Sequence, residues 1–337
     1  MLKPLGTRDF RGKSARGFFV CFLTLSRVVP GTEEKIVMPL AEGVSVVVPH
    51  YGDPEQTQEL VEALKTQVGA ELIQIIVVDD FSPRRFPETE GVRVVRRATN
   101  GGFGTAVNAG SVEAVHDRIL ILNSDLTISA TFVNDLLEVV QTLPPAVVSP
   151  AIFDESGNYQ WVGRRFPRTR YYFMDWLTVL AAFRSTSWWH RVVGHDVRCQ
   201  PGLVLEADWV IGAAMLIPTA QFRRVGGFDE SFFMNCEEID IQRRLRAEGL
   251  ISVVAGTVAV VHKGGGSSDP VKRRVWLVQS RLKYAQKWRA HPAGIRVSLT
   301  IAAFLNAIWN CQRRIRGKRV HVRKTLSQEL EYLWGRK

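Results

Sequence analysis

Cysteine is scarce in this chain. Its four cysteines in 337 residues, Cys21, Cys199, Cys236 and Cys311, share no paired spacing and form no Cys-x-x-Cys. A zinc or disulfide framework is therefore excluded as the basis of the fold, and a reducing compartment is favoured. Long hydrophobic runs are missing too, since no apolar stretch reaches the roughly 18–20 residues that a spanning helix needs. A short apolar stretch at 17–25 follows Arg11, Lys13 and Arg16, without a clean small-x-small cleavage site. It reads as part of an extension over residues 1–43, poorly ordered or weakly docked, rather than as a signal peptide. The loop His50-Tyr51-Gly52-Asp53 has no Lys or Arg, which speaks against the basic, glycine-rich loop of a nucleotidyltransferase. Asn100-Gly101-Gly102-Phe103-Gly104 lacks the third glycine of a dinucleotide fingerprint and follows the wrong strand for one. No internal repeat is found.

What is present is an apolar content of 46%, enough for a sizeable core, and a net charge of +11 that is unevenly placed. From 271 to 337 there are 17 Lys and Arg against Glu329 and Glu331; the other 270 residues hold 27 basic and 31 acidic side chains. Basicity thus belongs to the C-terminal region and not to the body, and no nucleic-acid reader motif accompanies it.

Along the body, residues 44–48 are a β-branched run closed by Pro49, as in a central strand covered on both faces. A helix over 54–68 follows, with Asp53 as N-cap. Strands at 72–78, 92–95 and 118–122 alternate with helices after Gly102 and over 130–141. Four alternations predict an α/β fold, a mostly parallel sheet with helices on both faces. Ligands bind beyond the carboxyl ends of such strands, and Pro49, Asp79-Asp80, Asn100 and Asn123-Ser124-Asp125 all fall there. After Pro150 the pattern changes; residues 206–218 predict one strand and residues 251–262 another.

Asp125 at a strand end offers a hard oxygen ligand to Mg²⁺ or Mn²⁺, against the plainer reading of a turn residue. Asp79 and Asp80 can accept bonds from a nucleobase or ribose, or simply form the turn before Ser82-Pro83. The glycines at 101 and 102 would let backbone approach a phosphate or sugar at a helix start. Glu237, Glu238 and Asp240 open a helix, where the dipole alone favours acids, and Arg243, Arg244 and Arg246 could pair with them. Three carboxylates so close also repel, which raises a pKa toward that of a general base. His262 precedes a glycine loop over 264–266 that could close over substrate, and it offers a further metal ligand, against the plainer reading of a structural histidine. Metal plus base is what moving a group from a nucleotide-diphosphate carrier to a hydroxyl requires.

These residues resemble a family. Val46-Val47-Val48-Pro49, Val77-Val78-Asp79-Asp80-Phe81-Ser82, Asn100-Gly101-Gly102-Phe103 with Asn108-Ala109-Gly110, and Asn123-Ser124-Asp125 occur in the order found in family 2 glycosyltransferases. So do Gly226-Gly227-Phe228-Asp229-Glu230, Phe232-Phe233-Met234 with Glu237-Glu238-Ile239-Asp240, and His262 with its glycines. The likeness spans about 44–290 and points to the rhamnosyltransferase-like branch. It implies a GT-A fold, a nucleotide-diphosphate sugar as donor and an inverting single displacement. The donor would be held by Pro49, Tyr51, Asp79, Asp80, Asn100, Gly102, Asn108, Asn123 and Ser124, and the metal by Asp125 and His262. Glu238 would be the base, Glu237 the reserve and Asp240 an orienting group. The sequence departs from the family in having Asn123 where a carboxylate is common, and Glu238 where the base is usually Asp. One added methylene moves that carboxylate by about 1.5 Å.

The organisation expected is a nucleotide-sugar half at 44–150, an acceptor half at 151–270 and a basic, amphipathic helical tail at 271–337. Residues 297–309 are an apolar run too short to span, followed by Arg313, Arg314, Arg316, Lys318, Arg319, Arg323 and Lys324. That combination suits the anionic inner face of the cell membrane, where each basic residue contributes about 1 kcal/mol; a core-packing helix with a solvated end is the plainer reading. Gln286-Lys287-Trp288-Arg289 is not the Gln-x-x-Arg-Trp of a polymer synthase. The expectation is a cytoplasmic, peripheral, non-processive transferase acting on a saccharide or lipid-linked saccharide of the cell envelope. A catalytically inactive sugar-nucleotide-binding or scaffold protein is the alternative.

Overall fold

The computed structural model describes residues 43–264 and 269–335. The expected N-terminal extension, but for Gly43, and loop residues 265–268 lie outside them. In chain order the elements of the first half are β1 (Val44–His50), α1 (Glu55–Lys65), β2 (Ile73–Asp79), β3 (Val92–Arg96), α2 (Phe103–Val112), β4 (Arg118–Leu122), β5 (Leu126–Thr127), α3 (Phe132–Gln141) and β6 (Ala146–Phe153). Then come β7 (Gly163–Arg164), α4 (Thr169–Trp176), α5 (Ser187–Val192), β8 (Val204–Ala207), β9 (Trp209–Val210), β10 (Ala214–Pro218), α6 (Thr219–Arg224), α7 (Glu237–Ala247) and β11 (Ile251–His262). Three helices close the chain: α8 (Pro270–Lys287), α9 (Pro292–Ile315) and α10 (Val322–Trp334).

The main sheet has the order β3-β2-β1-β4-β10-β6-β11-β5, with β8 also paired to β11. β1 runs parallel to β2 and β4, β2 to β3, and β6 to β11; β10 lies antiparallel between β4 and β6. The six long parallel strands therefore end on one edge. Val46, Val47 and Val48 of β1 and Ile119 to Leu122 of β4 are fully buried, as strands covered on both faces must be. Strand order turns back between β1 and β4, which opens a crevice there.

Three sequence expectations change. α1 starts at Glu55 with Pro54 in the capping position and no side-chain cap, so Asp53 does not cap it. The single strand expected over 206–218 is β8, β9 and β10. Asp208 turns aside to accept the Phe166 N–H at 2.9 Å, and Ile211 N–H goes to the Val162 carbonyl at 3.2 Å. β6 was hidden by Pro150, which pairs with Ala255 where the register with β11 shifts; a proline is tolerated at such an irregularity.

The C-terminal helices are packed onto the body. Tyr172 and Trp176 of α4 share a core with Val278, Ala285, Ile295, Leu299, Ala302 and Leu333. Asn306 fastens α9 to α4, donating to the Trp176 carbonyl at 2.9 Å and accepting the Thr178 N–H at 2.8 Å. By length and composition α9 is long enough to cross a membrane, which corrects the short run read from sequence; 28% of its most apolar window is buried. Its outer stripe, Val297, Ile301, Phe304, Leu305 and Ile308, is exposed and apolar.

The two faces of α9 should separate in unfolding experiments. Leu299→Ala is expected to cost about 2–5 kcal/mol in urea denaturation. Ile308→Ser should change stability by less than about 0.5 kcal/mol.

Candidate active site

At the carboxyl edge the acidic residues divide by role. Asp79 is fully buried and accepts from Ser82 N–H at 2.8 Å, Phe86 N–H at 2.9 Å and Arg96. Burial alone would raise its pKa, but these bonds outweigh it and hold the carboxyl below the usual range. Its acceptor capacity is spent inside the fold, so the structure gives it an anchoring place and not a ligand-facing one. Asp80 accepts the Gly101 and Gly102 N–H groups, the latter at 2.7 Å, and pairs with Arg97. It shapes the turn that leads into α2.

Gly102 has a φ of +85°, and a Cβ there would lie 1.8 Å from the Phe233 carbonyl oxygen. The close approach expected of a phosphate is made instead by the protein's own backbone. Asn108 likewise faces inward: it accepts the Phe228 N–H at 2.8 Å and donates to the Phe228 carbonyl at 2.9 Å, pinning the Gly-Gly-Phe-Asp turn. Pro49, Asn100, Asn123 and Ser124 are half-buried along the crevice, and Tyr51 is exposed at its mouth.

Asp125 and His262 come together across β4 and β11, with His262 Nε2 3.1 Å from Asp125 Oδ1. The far ring nitrogen, Nδ1, lies 3.1 Å from Gln160 Oε1. The ring thus meets Gln160 through one nitrogen and the Asp125 carboxylate through the other. A proton or a cation between Nε2 and Oδ1 suits both atoms at that distance. Cis ligands about 2.1 Å from one ion stand about 3 Å apart, so the pair fits a divalent cation; an oxygen and an imidazole nitrogen suit Mn²⁺. No third His, Cys, Asp or Glu joins them among the described residues, which leaves room for ligands from a substrate.

The acidic helix start is built under strain. Asn235 and Cys236 both have φ of +70°, a left-handed geometry that costs non-glycine residues about 1–3 kcal/mol each. Their turn aims the first residues of α7 back at the sheet edge. Gln242 locks the helix there, accepting the Val210 N–H at 2.8 Å and donating to its carbonyl at 2.7 Å. Asp240 is fully buried against Arg244, Lys287 and Trp288, an orienting anchor.

Glu237 and Glu238 each keep one buried carboxylate oxygen without a hydrogen-bond partner. Burial, and for Glu237 the adjacent Glu238 charge, pushes both above the usual carboxylate range. Only Glu238 lines the neighbouring cavity, of about 180 Å³, together with Arg164, Tyr172, Asp175, Trp209 and Arg281. That is smaller than the roughly 300–1,000 Å³ of a drug-sized pocket, so it takes in part of a ligand. A Cβ on Gly212 would lie 3.3 Å from that of Glu238, and the next residue, Ala213, accepts the Asn123 N–H at 2.8 Å. The base candidate therefore stands beside the Asn123-Ser124-Asp125 loop. His195 also lines the cavity, but burial, Arg164 and His190 push its pKa down to about 2, so it is neutral.

Sequence reading missed Gln160, Arg164 and Arg281. Each is an ordinary polar residue far from any motif, and only packing brings it to the site.

Comparison with known proteins agrees with this layout. Residues 45–196 match the family model described as glycosyl transferase family 2. The chain is 29% identical over 217 residues to an N-acetylglucosaminyl-diphospho-decaprenol L-rhamnosyltransferase of Mycobacterium tuberculosis, covering 59% of this chain and 69% of that protein. It is 22% identical over 235 residues to the low-salt glycan biosynthesis hexosyltransferase Agl10 of Haloferax volcanii, covering 68% and 69%. Among solved structures, the mannosyltransferase PcManGT from Pyrobaculum calidifontis, in complex with GDP-Man and Mn²⁺, superposes with a TM-score of 0.51 at 13% identity over 90% of this chain and 91% of that one. GalNAc-T7 with UDP, GalNAc and Mn²⁺ gives 0.54 at 11% identity, over 86% of this chain and about half (54%) of that one. The fold is GT-A.

Gln160 holds the ring that would ligate a cation beside Asp125, and the contact is open to measurement. Gln160→Leu should weaken Mn²⁺ binding about 10–100-fold in titration calorimetry, and Gln160→Glu, which keeps an acceptor oxygen, should retain most of it.

Proposed function

The chain belongs to glycosyl transferase family 2, and from that premise we propose an inverting, metal-dependent, non-processive transferase of polysaccharide synthesis. It moves a hexosyl group, rhamnose foremost, from a nucleotide diphosphate to a hydroxyl of a saccharide or lipid-linked saccharide. The observation that carries this reading is Glu238: a carboxylate with a raised proton affinity, lining a cavity next to the Asp125 loop. Its task is to take the proton of the acceptor hydroxyl as that oxygen bonds to the anomeric carbon and the carbon–oxygen bond to the diphosphate breaks. Attack from the face opposite the leaving group inverts the centre. Asp125 and His262 would hold a divalent cation, which would supply neutralisation of the charge that develops on the leaving diphosphate. The Mn²⁺ and nucleotides of the solved GT-A relatives support donor and metal of that class.

The longer Glu side chain, in the place of the usual Asp, is accommodated by Gly212, which offers no Cβ against it. On the membrane side, α9 exposes an apolar stripe on one face while Leu299, Ala302 and Asn306 hold the other to the body. A helix apolar on one free side, followed by exposed Arg313, Arg314, Arg316, Lys318 and Arg319, suits a position lying on an anionic leaflet. This supports a peripheral place on the inner face of the cell membrane.

Nucleotide-diphosphate release from a panel of nucleotide sugars, with membrane lipid extract as acceptor, tests the transferase. Glu238→Gln should lower kcat about 10²–10⁴-fold with unchanged or higher Tm, because one of two repelling buried charges is removed. Donor binding without turnover in the wild type would sink the reading in favour of a binding protein. The pH profile follows from the sign of the shift. Glu238 works deprotonated and its pKa is raised, so activity should fall with decreasing pH at values above the ordinary glutamate range of about 4.3. For membrane association, Ile301→Ser with Phe304→Ser and Ile308→Ser should abolish co-sedimentation with anionic vesicles and leave the fold intact by circular dichroism.

A further inference from the structure

Three residues lining the Glu238 cavity each keep a buried polar atom with no hydrogen-bond partner among the described residues: Glu238 Oε2, Arg281 Nη1 and the Tyr172 hydroxyl. Charge does not account for them. Arg281 donates Nη2 to Asp175 Oδ2 at 2.8 Å, and Arg165 is paired with Asp196 at 3.0 Å. Asp175 and the deprotonated Glu238 then match Arg164 and Arg281 one for one on the cavity wall. A charge-balanced cavity with hydrogen-bonding capacity left over suits a neutral, hydroxyl-bearing group.

Tyr172 is the member that packing does not explain. It is 8% exposed and shares a core with Trp176, Val278 and Leu299, which a phenylalanine would fill as well. The Arg281 guanidinium lies 4.4 Å from its ring centre. Burial above all, and the fields of Cys236, Tyr284 and Glu238 after it, hold the phenol's pKa well above its ordinary value. The hydroxyl therefore stays protonated and can both donate and accept. A hydroxyl kept dry and unpaired is costly, and a ligand hydroxyl that bonds it recovers that cost. We infer that Tyr172 is a positioning and specificity residue of the acceptor site. Its hydroxyl and Arg281 Nη1 bond one ring hydroxyl of the acceptor sugar, and so hold a neighbouring hydroxyl at Glu238. The inference rests on the glycosyl-transfer reading and adds to it the residue that chooses among saccharides. A sugar lacking that hydroxyl leaves phenol and guanidinium unpaired, the situation in which a site discriminates most sharply. Tyr159 provides the contrast: its hydroxyl also lacks a partner, but it packs against Phe153 and Trp161 and does not line the cavity.

Initial rates of nucleoside-diphosphate release by the full chain, against increasing membrane lipid extract and separately against increasing nucleotide sugar, provide the test. Tyr172→Phe removes one oxygen and keeps the ring, so its Tm should equal or exceed that of wild type. It should raise the half-saturating extract concentration about tenfold and leave the donor KM unchanged. Tyr159→Phe should leave both unchanged. Equal half-saturation in wild type and Tyr172→Phe overturns the inference, and so does an equal shift in the two variants. A lowered Tm or a matching rise in donor KM for Tyr172→Phe overturns it as well, because the hydroxyl then serves the fold. A wild type that binds donor and never turns it over overturns the transferase reading, and the inference with it.

Discussion

Everything at the active edge is arranged around two carboxylates that are adjacent in sequence and each bury an oxygen. Glu237 and Glu238 each hold an oxygen with no hydrogen-bond partner, a state that burial and mutual repulsion make costly. The surrounding fold overrides that cost from several directions. Gln242 bonds both polar groups of Val210, Asp240 is clamped by Arg244, Lys287 and Trp288, and two left-handed residues set the angle of approach. A helix held so firmly keeps the pair in place, and burial raises the proton affinity of Glu238.

The same chemistry is used differently a few ångströms away. Asp79, Asp80 and Asp240 are carboxylates of the same edge, yet each is consumed by backbone N–H groups or by arginine and lysine. A carboxylate whose oxygens are occupied builds shape; one whose oxygen is unoccupied is left able to take a proton. Asp125 stands between these cases, with His262 Nε2 facing its carboxylate.

The C-terminal helices connect this chemistry to a surface. α8 contributes Arg281 to the cavity and Lys287 to the Asp240 clamp, so a region that looks like an appended basic tail completes the site. α9 turns one face to that shared core and the other outward. A change on α9 that loosens the core should therefore be felt at the Glu238 cavity.

Period and composition alone determined the alternating frame, because a continuous β-branched run such as residues 44–48 is stable only between two layers. They also marked Asp125, His262 and the Glu237-Glu238 pair, since ionisable residues at the ends of apolar strands or helix starts stand out locally. Beyond that, local signals fail. Whether Asp79 or Asp80 meets a ligand depends on hydrogen bonds from Phe86 and Gly102, which no spacing rule reveals. Gly102 and Asn108 read as ligand contacts, but the Phe233 carbonyl and the Phe228 backbone, more than 100 residues away, occupy them. Only tertiary packing decided that Glu238 faces a cavity, that Arg164 and Arg281 meet there, and that the basic region belongs to the body. Each of these depends on long-range burial, and burial is a property of the assembled molecule, not of any segment of it.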